Sequence, residues 1–113
     1  MNDVIARALV KDILETLPAE LASFYKNPPG RKPSKQTLKM NEIYLRIGDE
    51  DSLTMIRDVV DRTIVSIISL IDSDFKNLNI KTKFINLDGR ETSSSGDLFE
   101  EYRSMSDPGG LLR

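Results

Sequence analysis

Five carboxylates, Asp49, Glu50, Asp51, Asp58 and Asp61, are the densest group of chemically able side chains in this sequence. Carboxylates in pairs can work as general acid and base, hold a cation, or steer a basic partner. The first role normally leans on a histidine or on two carboxylates in contrasting surroundings, and the chain has no His and no Cys. Those two absences exclude Ser-His-Asp and Cys-His catalysis, HExxH and Cys-based zinc sites, and disulfides. A carboxylate-only, Lys-based or Tyr-based enzyme stays open on residue types, yet the spacing singles out no catalytic residue, and the expectation is a protein that is not an enzyme.

Asp72-Ser73-Asp74 begins like a calcium loop, but Lys76 takes the next ligand position, Asn77 the glycine position and Lys83 the place of the closing glutamate, so the pattern fails. Asp49, Glu50 and Asp51 are explained by the positive end of a following helix. Ser93, Ser94 and Ser95 lie in a Ser-rich stretch with no base and no G-x-S-x-G context. No glycine-rich phosphate loop exists; Gly109-Gly110 lies near the end of the chain. Neither a metal nor a cofactor is expected.

Two further groups concern partners. Lys26, Arg31, Lys32, Lys35 and Lys39 follow one another without an intervening acid. They read either as a solvated linker or as a track for phosphates, for which Arg31, Lys32, Lys35 and Lys39 are the candidate nucleic-acid contacts. The acidic overall balance and the single nearby aromatic, Tyr25, argue against nucleic acid. Arg62, Ser66, Ser69 and Ser73 are spaced by four, three and four, along one edge of a helix. Small side chains there suit either a narrow solvent-facing strip or a close helix–helix seam, within the chain or across a homodimer.

The element that must position most of these residues is a long helix over 51–76. From Leu53 its apolar residues run Leu53, Ile56, Val59, Val60, Ile64, Ile67, Ile68 and Ile71, with Val65 and Leu70 outside that stripe. A helix apolar on most of its circumference must be covered. Asp58 and Arg62 form an i, i+4 pair, with Arg57 and Asp61 in the reverse orientation. Ahead of this helix, Asp3–Thr16 carries Ile5, Ala8, Leu9, Ile13 and Leu17 at helical spacing. Pro18 interrupts that run and can open a second helix with Leu21, Phe24 and Tyr25. Asn27–Ser34, with three prolines and a glycine, is a linker. Lys35–Ile47 fits a helix capped by Ser34 and stopped by Gly48, although Ile43, Leu45 and Ile47 also alternate as a strand would.

Beyond the long helix, Leu78, Ile80, Thr82 and Phe84 alternate with polar residues as a peripheral strand near 78–87, ended by Asp88-Gly89. Glu91–Gly96 reads as a loop. Asp97 opens a short C-terminal helix, with Glu100 in capping-box position and Leu98, Phe99 and Tyr102 to dock it. A flexible tail over 106–113 follows, whose Leu111 and Leu112 either fray or dock.

The expected class is therefore mainly α, a small helical domain on one long central helix. The alternative is α+β, with 41–47 pairing against 78–87. At 113 residues, 30% charged and 39% apolar with a net charge of −2, the chain suits a single domain, 1–113. It lacks a run long enough to span a membrane. Asp3, Arg7, Lys11 and Asp12 break any signal-peptide core, so a cytoplasmic place is expected. Such a chain fits a small non-catalytic binding domain acting by surface complementarity on another protein, in the manner of an immunity-type inhibitor or regulatory subunit. Asp49, Glu50, Asp51, Asp58 and Asp61 would meet that partner. The alternative is a dimeric nucleic-acid-associated regulator.

Overall fold

The computed structural model describes residues 2–73, 83–93 and 97–110. It is mainly α: α1 (Asn2–Ala8), a π-helical continuation (Leu9–Leu14), α2 (Leu17–Lys26), α3 (Lys35–Ile47), α4 (Asp49–Asp72) and α5 (Asp97–Ser106), with a hairpin of β1 (Lys83–Ile85) and β2 (Glu91–Ser93) before α5.

The first helical region shows how a side-chain period shapes a backbone. Ala6, Val10, Leu14, Pro18 and Ala22 are all buried, one at every fourth position. In a pure α-helix an every-fourth line drifts about 40° per step, so it would leave the core within a few turns. The π turns of Leu9–Leu14, with Glu15 N–H donating to Val10 O at 2.8 Å, wind more slowly and hold the line inward. Of the expected stripe, Ile5, Leu9, Ile13 and Leu17 flank this line, half-buried against the core as is Leu21 of the second helix, while Ala8 is exposed. Pro18 falls in the first turn of α2, where its missing N–H costs nothing. Thr16 caps nothing by its side chain; its hydroxyl donates to Lys11 O at 2.8 Å.

Residues 27–34 form no helix or strand. The strand alternative for 41–47, and with it the α+β class, is overturned, because local capping decides for helix. The Ser34 hydroxyl accepts the Thr37 N–H at 3.1 Å and Gly48 follows the last turn. Gly48 has φ 101° and ψ 165°, a region that essentially glycine alone adopts. It is the only residue between α3 and α4, so Asp49, Glu50 and Asp51 lie in the first turn of α4 rather than in a connection. A Cβ at Gly48 would meet no atom within 4 Å, so the cost of Gly48→Ala is that of the backbone alone. It is expected to lower stability by about 1–3 kcal/mol in a urea titration followed by circular dichroism.

The core runs along α4, where Val60, Ile64 and Ile68 join Ala6, Val10 and Leu14 of the first helical region and Leu98 and Tyr102 of α5 in one cluster. Ile56, Val65 and Ile71 pack at its margin. Leu53, Val59 and Ile67, expected in the buried stripe, are exposed, as is Leu70. α3 meets α4 near its start, where the Ser52 hydroxyl donates to Tyr44 O at 3.4 Å and Tyr44, Ile47, Ser52 and Ile56 border a shallow groove. The helix is described to Asp72 and the turn at Ser73; its expected end at 75–76 lies outside the described residues.

Of the expected strand over 78–87, residues 78–82 also lie outside them. β1 ends at Ile85, because Asn86 turns the chain by accepting the Asp88 and Arg90 N–H groups on its Oδ1 at 3.0 and 2.9 Å. Leu87 stands fully exposed in that turn. Residues 91–93, expected as loop, instead pair antiparallel with β1, Phe84 opposite Thr92. α5 starts at Asp97 as expected, and Leu98 and Tyr102 are wholly buried with Phe99 beside them. Its Phe99 N–H donates to Asp72 Oδ2 of α4 at 3.2 Å, an anion at a helix N-terminus supplied from another helix. The tail expected from 106 begins later: Ser106 is helical and Asp107 is buried, while 111–113 lie outside the described residues. Among the described residues no helix is long and apolar enough to cross a membrane.

Candidate functional site

Asp49, Glu50, Asp51, Asp58 and Asp61 do not share a face of α4. Asp49 closes the joint between α2, α3 and α4: its Oδ2 takes the Lys26 ammonium at 3.1 Å and its Oδ1 accepts from the Tyr44 hydroxyl at 2.6 Å. The Tyr44 bond, then Lys26, holds the Asp49 carboxyl below the usual carboxylate range, and the same bond pushes the Tyr44 hydroxyl up. Glu50 and Asp51 stand exposed one step on. Asp58 accepts from Arg62 Nε at 2.8 Å, the expected i, i+4 pair, in the open.

Asp61 behaves differently, and its place on an exposed acidic face is corrected. It is 6% exposed, at the edge of the stripe of Val60, Ile64 and Ile68. Its expected partner Arg57 is replaced by Arg103 of α5, itself 8% exposed. Arg103 Nη1 donates to Asp61 Oδ1 and Oδ2 at 2.9 and 3.0 Å, and the Tyr102 hydroxyl donates to Oδ1 at 2.7 Å. The guanidinium carbon lies 5.9 Å from the Phe99 ring centre and 5.7 Å from that of Tyr102, in cation–π range. Burial first, then the bond to Asp61, pushes the Tyr102 hydroxyl above its ordinary value, so it remains a donor throughout the neutral range.

Neither Tyr102 nor Arg103 was singled out by sequence pattern as a partner for Asp61. Buried charges come paired. Separations of 41 and 42 residues hid the match from any local spacing rule.

Arg62, Ser66, Ser69 and Ser73 are all exposed and form one ridge, as expected. Their hydroxyls turn back on the helix: Ser66 donates to Arg62 O at 2.9 Å and Ser73 to Leu70 O at 3.1 Å. Beside this ridge Val59, Ile67 and Leu70 stand 60%, 51% and 50% exposed. In the basic group, Lys26 is spent on Asp49 and Lys39 pairs with Glu42 at 3.7 Å. Arg31, Lys32 and Lys35 are exposed and make no ion pair among the described residues.

Behind the Asp58–Arg62 pair a polar cleft of about 390 Å³ opens toward Asp61 and Arg103, walled by Val65 and Ser66. On the other side of α4, Tyr25, Met40, Tyr44, Ile47 and Met55 line a shallow apolar groove. Further depressions lie beside Leu14, Thr54, Arg57 and Ser106 and along Lys35, Leu38 and Glu42, and among the described residues none of these places pairs a nucleophile with a base. Comparison with protein families, curated proteins and solved structures finds no match to this chain, so the functional reading rests on that geometry.

Proposed function

We propose that this chain is a small non-catalytic protein-binding domain of the cytoplasm, working through the outward face of α4 on a basic protein partner, in the manner of an immunity-type inhibitor or regulatory subunit. The observation that carries the reading is the apolar strip of Val59, Ile67 and Leu70 left uncovered along the helix that forms the core. Exposed apolar residues gathered on one element, rather than scattered singly, mark interaction surfaces. Small serines at 66, 69 and 73 let a partner element approach the strip closely. Glu50, Asp51 and Asp58, exposed toward the N-terminal end of the same helix, complement a basic surface and speed its arrival.

Affinity capture from the source cell is expected to recover a stoichiometric basic partner with the native chain. Leu70→Asp should reduce that recovery by roughly 10-fold or more, since a charge would be desolvated in the contact. Val4, equally exposed but on α1, supplies the control: Val4→Asp should leave recovery unchanged. Capture of no stoichiometric protein, or equal capture by the Leu70 variant, overturns the reading. Sedimentation of the native chain tests the homodimer form of the same seam, which requires twice the 12.8 kDa monomer mass.

A further inference from the structure

We propose that the polar cleft between α4 and α5 binds a small oxyanion, a carboxylate or phosphate group, through the spare N–H donors of Arg62 and Arg103. This site lies behind the Asp58–Arg62 pair and does not depend on the docking role of α4's apolar strip.

The first support is a surplus of donors. A guanidinium carries five N–H groups and can accept nothing. Arg103 spends only Nη1, on Asp61, and Arg62 spends only Nε, on Asp58. Neither Nε and Nη2 of Arg103 nor Nη1 and Nη2 of Arg62 make a hydrogen bond among the described residues. Acceptors in the cleft are largely used. Both oxygens of Asp61 are engaged, as is Oδ2 of Asp58. A ligand that supplies oxygen acceptors therefore suits the cleft, where four guanidinium nitrogens are spare and Oδ1 of Asp58 is the one carboxylate oxygen without a hydrogen bond among the described residues.

The second support is preorganisation. Buried side-chain atoms lacking a partner among the described residues are Asn2 Oδ1 and Ser106 Oγ. The spare nitrogens of Arg103 are not among them, so they keep some exposure although the residue is 8% exposed, and Arg103 is one of the residues that line the cleft. Asp61 holds one edge of this guanidinium, and the Phe99 and Tyr102 rings lie beside it. An arginine fixed in this way loses little freedom when its open edge receives a planar carboxylate or a phosphate. Arg62 is different: its side chain is 77% exposed, so it can swing to close over a ligand. The cleft volume of about 390 Å³ lies within the range of small-molecule sites.

The test is an NMR titration of the arginine Nε–H resonances of the full chain with inorganic phosphate and, separately, succinate. Sodium chloride at matched ionic strength is the control. Saturable shifts at Arg62 and Arg103 are expected, with a dissociation constant of about 1 mM. Arg62→Gln should raise that constant about tenfold, with an unchanged circular-dichroism melt because its ion pair is exposed. Response to one anion alone supports the site and identifies the group it takes. The same shifts with chloride, no shift at Arg103, or equal titration by the Arg62 variant overturn the proposal.

Discussion

Asp61→Ala is expected to destabilise this protein by about 3–5 kcal/mol, the cost of leaving a buried charge without its partner. Arg103 would remain more than nine-tenths buried between α4 and α5, with its Nη1 donors facing a void and the Tyr102 hydroxyl deprived of its acceptor. Desolvation of the guanidinium is endured in the native protein because two short hydrogen bonds and two aromatic rings compensate it. Removing the carboxylate withdraws the larger share of that compensation and none of the desolvation. Asp58→Ala is the matched control, since it breaks an exposed pair on the same helix and should cost less than about 1 kcal/mol. Urea denaturation of both variants measures the difference. A third variant separates charge from packing: Asp61→Leu combined with Arg103→Met should recover most of the loss, because a buried pair replaced by apolar residues of similar size is close to neutral. Equal midpoints for the Asp61 and Asp58 variants would sink the argument.

The second large effect sets neighbouring residues against each other. Ile68→Ala is expected to cost about 2–5 kcal/mol, for lost transfer energy and a cavity that the surrounding side chains cannot fully close. Ile68 is wholly buried against Leu98 and Tyr102 in the core cluster, whereas Ile67 is 51% exposed. Ile67→Ala should therefore cost no more than about 1 kcal/mol, from the half of the side chain that leaves water. Chemical denaturation of the two variants reads the orientation of α4 directly. Comparable losses would mean that Ile67 is covered in solution, by self-association or a different rotation of the helix. Repeating the measurement across a tenfold range of protein concentration distinguishes these, because a dimer's stability depends on concentration and a rotation's does not.

What could be read from the sequence was of short range. Ser34 and Gly48 bound α3 correctly because a cap and a left-handed glycine act within one helical turn. Pro18 placed the start of α2 for the same reason, and Leu98 with Tyr102 named the inner face of α5 from their spacing. The mainly α class followed from periods that repeat over several turns.

Other features waited on the tertiary structure. The apolar residues of α4 cover so much of its circumference that spacing alone could not tell Ile68 from Ile67; the packing of the first helical region and of α5 on α4 decided which was covered. Asp61 looked like one acid among five until α5, more than forty residues later, brought Arg103 to it. The pairing of 91–93 with β1 and the slow winding of Leu9–Leu14 likewise answer to contacts made elsewhere. Local chemistry determines where helices begin and end, because caps, prolines and glycines act on their own turn. Which side of each helix meets water, and which charges meet each other, depends on packing among distant segments, so only the assembled fold decides it.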